Sequence, residues 1–234
     1  MSKAPNLRRR SFLLGLAPAV AGTLGTIASS ASGEPEDPGA KRSHLPVFFN
    51  SAEWSFLNAS VDRLIPDDGN GPGGLDAGVA VFIDRQMEAP YGHGAYWYMQ
   101  GPFYPDTPAT LGYQLRYTPR DLYRLGIAAA DRAFLAAKGL PFSKASAEDR
   151  DAFLSQLEAG TVQLDGPPAA IFFGQLLTNV REGYFADPMY GGNRDMAAWK
   201  AIGFPGARAD FTDWLDQQGR AYPFGPVAIE GDRG

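Results

Sequence analysis

The sequence predicts a mainly α-helical, irregular single domain with long aromatic, Pro- and Gly-rich loops and extended termini. Two patterns carry that expectation. Apolar residues recur at three- and four-residue spacing in successive stretches, each opened by a capping residue or closed by Gly or Pro. Neither a run of alternating strands nor a fixed-period repeat accompanies them. A chain of 234 residues is long enough to bury one substantial core.

The N-terminal residues 1–31 read as an export signal. Arg8, Arg9 and Arg10 precede a moderately apolar run rich in small residues, and Arg9, Arg10, Phe12 and Leu13 fit a twin-arginine signal. A small-residue cleavage site follows Ala31. A transmembrane anchor is the other reading, but Pro18 and the many Gly, Ala, Ser and Thr residues make the run weakly hydrophobic for its length. Residues 32–49 are polar and rich in Pro and Gly, as a linker or extended arm would be. His44 lies there and is expected to be exposed.

The helical domain is expected over residues 50–234, with an extended C-terminal tail. Asn50 and Glu53 form a capping-box start, and Trp54, Leu57, Val61, Leu64 and Ile65 share a face until Pro66. Leu75, Val79, Phe82, Ile83 and Met87 repeat the pattern before Pro90. Residues 90–117 lose all period and are crowded with aromatics, which predicts a long ordered loop. Thr118, Pro119 and Asp121 then open a helix with Leu122, Leu125, Ala129 and Ala133 on its face, ended by Gly139. Ser146 and Asp149 start another, with Phe153, Leu154 and Leu157 apolar and Gly160 as its stop. A further helix over 169–185 carries Ile171, Phe172, Leu176, Val180 and Tyr184.

Composition removes several chemistries. The absence of Cys excludes disulfides, thiolate zinc sites, thiolate-ligated iron–sulfur clusters and c-type haem attachment. A net charge of −5 argues against nucleic acid. Loss of residues 1–31 would take four of the 21 cations and none of the 26 acids, lowering the charge to −9. Such a surface has no electrostatic attraction to anionic lipid, so any membrane association is expected to be indirect.

The motif search narrows the rest. Gly69, Gly71 and Gly74 fit G-x-G-x-x-G, but the preceding segment is a helical pattern and Asp67 and Asp68 would repel phosphates, so a helix-to-helix turn is the better reading. Asp68 and Asn70 have the spacing of a calcium loop, yet Pro72 and Val79 occupy later ligand positions. His44 and His93 are the only histidines. His93, in the loop, is a conceivable general base without a nucleophile motif beside it. Paired carboxylates of a glycosidase type are unspecific in so acidic a chain.

The densest stretch is DPMYGGNRDMAAWKAIGFPG, residues 187–206. Gly191, Gly192 and Asn193 permit a sharp turn. Asn193 or Asp195 is placed to cap a short helix whose Met196, Trp199 and Ile202 lie on one side. The stretch reads as a packed turn and helix, a ligand loop or a docking surface.

Four segments carry a family resemblance: VDRLIPDDGNGPGGLDAGVAVFIDRQ, YGHGAYWYMQGPF, GYQLRYTPRDLYRLG and GYFADPMYGGNRDMAAWKAIGFPGAR. Together they resemble the gluconate 2-dehydrogenase subunit 3 family from about Trp54 to Ala209, with the last segment the most specific. The resemblance implies a small non-catalytic subunit of a membrane-bound periplasmic sugar or sugar-acid dehydrogenase. It implies no cofactor in this chain, FAD in a large dehydrogenase subunit, and haem c in a multihaem cytochrome subunit. The small subunit would assist folding, assembly and twin-arginine export of the flavoprotein at the periplasmic face of the inner membrane. Asp187, Pro188, Tyr190, Gly191, Gly192, Asn193, Arg194, Asp195 and Trp199 carry over as its partner-interface or scaffold residues. The alternative is a self-sufficient periplasmic sugar-binding protein or enzyme, with Asp187, Asn193, Arg194 and Trp199 gripping the ligand and His93 as a base.

Overall fold

A computed structural model describes residues 44–69 and 71–234. The signal residues Arg9, Arg10, Phe12 and Leu13, and Asn70 of the calcium spacing, lie outside the described residues. Among the described residues the fold is mainly helical, and the only β pairing is isolated bridges.

The helices are α1 (Ser51–Leu64), α2 (Val79–Glu88), α3 (Pro119–Lys138), α4 (Ala147–Glu158), α5 (Ala169–Phe185) and α6 (Ala197–Ile202). Local chemistry sets most of their starts. Asn50 accepts from the amides of Ala52 and Glu53 while Glu53 accepts from the Asn50 amide, a reciprocal cap that satisfies orphan N–H groups. Thr118 and Asp121 make the same box before α3, with Pro119 at the first helical position, and Gly139 in the left-handed region ends that helix. Ser146 accepts from the Asp149 amide at the start of α4.

Helix α5 is the hub, packing against α2, α3 and α4, while α1 closes the bundle against α2, α3 and α4. The core is aromatic. Phe56, Phe134, Phe142 and Phe153 form a chain of ring contacts at 4.5–5.9 Å, and Phe172 and Tyr123 extend it towards Phe49. Offset and edge-to-face contacts of this kind add to the stabilisation from burial alone.

Not every periodic residue faces inward. Leu75, Leu125 and Ile171 are 40–44% exposed; Leu75 lies in the connection before α2 rather than on it, and Ile171 faces the loop residues Pro105, Tyr113 and Leu115. Gly69, Gly71 and Gly74 lie in the connection from α1 to α2, with a helix and no strand before them.

The expected exposure of His44 is overturned. Its ring is largely covered, and its Nε2 lies 2.8 Å from Oδ2 of Asp84, a fully buried carboxylate on α2. The same carboxylate accepts from the amides of Val47, Phe48 and Phe49 at 2.8–3.1 Å. A buried charge requires this many donors to replace water. Residues 44–49 thus form a strap whose Phe48 and Phe49 enter the core. Arg124 of α3 holds the strap from the other side, donating to the Phe48 carbonyl and to buried Glu53 while lying 4.2 Å over the Phe48 ring.

Candidate functional site

The loop 90–117 is anchored by a buried polar network. Tyr91 accepts hydrogen bonds from Gln175 and Asn179 at 2.7 and 2.9 Å. Asn179, itself fully buried, accepts from the Tyr123 hydroxyl and donates to Glu182. Burial pushes the Tyr123 hydroxyl pKa well up, so it stays a donor. From this anchored base the loop turns outward, and Tyr96, Tyr98, Tyr104 and Leu111 are mostly exposed. Pro105, Tyr113, Leu115, Pro168 and Ile171 line a groove of about 520 Å³ beneath it. Burial also raises the pKa of Tyr113.

His93 is exposed on the same loop, with Nε2 and Nδ1 lying 2.5 and 3.4 Å from the Arg120 guanidinium. Arg120 also reaches Glu88 at 3.3 Å. A ring nitrogen accepting from a guanidinium has its lone pair occupied, which is not the arrangement of a base poised over substrate. Among the described residues no group of three or more His, Asp or Glu side chains is arranged to hold a metal ion. Nor is any helix among them long and apolar enough to cross a membrane.

The 187–199 stretch is built on the end of α5. This helix ends at Ala186 in an extended conformation, without the left-handed glycine that commonly satisfies the last carbonyls. Side chains supply the donors instead. Trp199 Nε1 donates to the Phe185 carbonyl at 2.9 Å, and Asn193 Nδ2 donates to the Ala186 carbonyl at 3.0 Å. Asn193 Oδ1 accepts from the Ala198 amide at 2.9 Å, so Asn193 rather than Asp195 satisfies an amide in the first turn of α6, although the N-cap position itself is Met196. Asn193 is fully buried and adopts a φ of 43°, a region that asparagine tolerates better than most residues.

Asp187 is likewise spent inward. One oxygen accepts from the Met189 amide at 3.1 Å, and the other from the Ile229 amide at 2.7 Å. The second contact clasps the tail, which also bonds Ala207 to the Val227 carbonyl and Val227 to the Pro205 carbonyl. Ala228 packs with Met196 and Trp199 in a small second core. Ile202, expected on that side, is instead 61% exposed at the last position of α6, outside that small core.

Gly192 explains the close seat of the turn on α5. A Cβ at this position would stand 2.0 Å from the Gly183 carbonyl oxygen, so only hydrogen fits. The carried-over residues therefore divide. Gly192, Asn193, Asp187 and Trp199 are interior, Pro188 and Gly191 are half-buried, and Tyr190, Arg194 and Asp195 face outward. Of the four residues considered as a sugar grip, Asp187, Asn193 and Trp199 have their polar atoms engaged within the chain.

Beside the outward group lies a shallow, open depression between α2 and α5, lined by Phe82, Gln86, Glu182, Phe185, Asp187 and Tyr190. Periodicity did not select Phe185, which is exposed at the end of α5.

A family model described as gluconate 2-dehydrogenase subunit 3 matches residues 51–206. The chain belongs to the gluconate 2-dehydrogenase subunit 3 family. It is accordingly a subunit of a gluconate 2-dehydrogenase-like oxidoreductase complex, with dehydrogenase partners. The match opens at α1 and closes at Gly206, so the strap and the tail beyond Gly206 fall outside it. No curated protein and no solved structure matches the chain.

Proposed function

We propose that this subunit is non-catalytic and serves the folding, assembly and export of an FAD-carrying dehydrogenase subunit. Family membership carries the reading. The geometry supports it, because the densest block of chemically capable residues closes a helix end and leaves an apolar, arginine-bearing rim outward. Large, half-exposed Tyr, Phe and Met side chains with Arg beside them have the composition of protein-binding hot spots.

In this reading the folded subunit leaves the cytoplasm with the flavoprotein by the twin-arginine route, guided by Arg9, Arg10, Phe12 and Leu13. A multihaem cytochrome c subunit receives the electrons, and the assembly rests on the periplasmic face of the inner membrane. The substrate is gluconate or a related sugar or polyol. The test is fractionation of cells carrying Arg9→Lys with Arg10→Lys. The dehydrogenase subunit is expected to remain cytoplasmic, and its normal delivery to the periplasm would sink the export role.

A further inference from the structure

We infer that the turn after α5 and the stretch Pro205–Ala207 form a binding site for an extended peptide segment with a small side chain at its centre, which the chain's own residues 226–229 fill. The inference does not rest on the dehydrogenase reading. It makes the tail a tethered ligand of the helical body.

Three observations carry it. The first is strand pairing. Val227 bridges Gly206 in parallel, with the Val227 amide donating to the Pro205 carbonyl at 3.2 Å and the Ala207 amide donating to the Val227 carbonyl at 2.7 Å. A Cβ on Gly206 would stand 2.2 Å from the Val227 carbonyl oxygen, so the incoming backbone fits only because this residue is glycine. Addition of an extended segment through main-chain bonds, with side chains read by pockets, is a general mode of peptide recognition.

The second is a pocket with a polar group beside it. Ala228 is 3% exposed and packs on Met196 and Trp199, in a core separate from that of the helices. The next residue, Ile229, presents its amide to Asp187 Oδ2 at 2.7 Å. Asp187 is itself buried, so an empty site would leave that oxygen short of its donor. The site therefore reads a small residue at 228 and an N–H, hence no proline, at 227 and 229.

The third is the tether. Residues 207–225 join the site to its ligand, and none of them is buried. Tyr222 lies 5.3–5.6 Å from the rings of Phe211, Trp214 and Phe224, and Arg208 stacks over Tyr222 while donating to the Gly225 carbonyl. A connection that packs on itself acts on the ligand by holding it at high effective concentration. The site lies within the residues that the family model matches, and its ligand beyond them.

The experiment uses the full chain with a protease recognition sequence inserted between Gln218 and Gly219, both exposed. After cleavage of the folded protein, a fluorescent peptide of residues 224–234 is titrated in and followed by polarisation, with circular dichroism reporting the helices. Saturable binding to the cut protein is expected, and binding at least about tenfold weaker to the uncut protein, whose site is filled. An Ile229→Pro peptide, which lacks the amide for Asp187, should bind the cut protein at least about tenfold more weakly than the natural peptide, and so should an Ala228→Leu peptide, too large for the pocket. No saturable binding of the natural peptide, equal binding to cut and uncut protein, or equal binding of the Ile229→Pro peptide overturns the site. Loss of the helical signal on cleavage overturns it as well, since the tail would then be part of the fold and no ligand of it.

Discussion

In the turn after α5, Asp187, Asn193 and Trp199 aim their polar atoms at backbone groups of their own chain, whereas in the loop 90–117 the side chains of Tyr96, Tyr104 and Leu111 stand largely in solvent. Both segments are dense in aromatics, Gly and polar residues. What separates them is the backbone each must satisfy. The turn closes a helix whose last carbonyls need donors, while the loop has its own anchor at Tyr91 and leaves its tip free. Density of capable side chains therefore does not mark a site. Surplus of capable side chains over backbone need does.

The largest expected effect comes from Gly192→Ala, whose methyl would meet the Gly183 carbonyl. Backbone cannot yield there, and a loss of more than about 4 kcal/mol in denaturant unfolding is expected. Asn193→Ala removes a donor to Ala186 and an acceptor for Ala198 in a fully buried place, and about 3 kcal/mol is expected by the same measurement. Trp199→Phe retains most of the packing but strands the Phe185 carbonyl, which should cost about 1–2 kcal/mol. Tyr96→Ser at the loop tip should change stability by less than about 0.5 kcal/mol. A destabilisation there as large as that of Trp199→Phe would erase the contrast between the two segments.

The smallest effect lies on the surface away from both. The Asp151 carboxyl is held below its usual pKa, first by its hydrogen bond from Arg63. A carboxylate lowered in the folded state contributes stability above its ordinary pKa and loses it as pH falls through the depressed value, below about pH 4. The melting-temperature gap between the natural chain and Asp151→Asn should thus be small at neutral pH, and should close in acid and in high salt. A gap that widened in acid would contradict this linkage.

Most helix starts and stops were legible because they depend on neighbours in sequence. Asn50 with Glu53, Thr118 with Asp121, and Gly139 are local devices. The division of the 187–199 block into interior and rim was not legible, because it depends on how α5 ends and on the return of Ile229, 42 residues away, to Asp187. Leu125 and Ile202 satisfied the helical period and still face outward, since period alone does not say how wide a stripe the neighbours cover. Asp84 left a signal that was not used. It sits between Ile83 and Met87 on an apolar face, and a charge in that place calls for buried partners.

The strap that Asp84 holds has a further consequence in the order of synthesis. A ribosome delivers Phe48 first, then Asp84 after 36 residues and Arg124 after 76. Trp54 of α1 is there from the start, but the carboxylate that gathers the strap's amides and the guanidinium that clamps Phe48 are complete only when both have emerged. Order at residues 44–49, the described segment nearest the N-terminus, therefore reports that the chain has been made at least as far as α3.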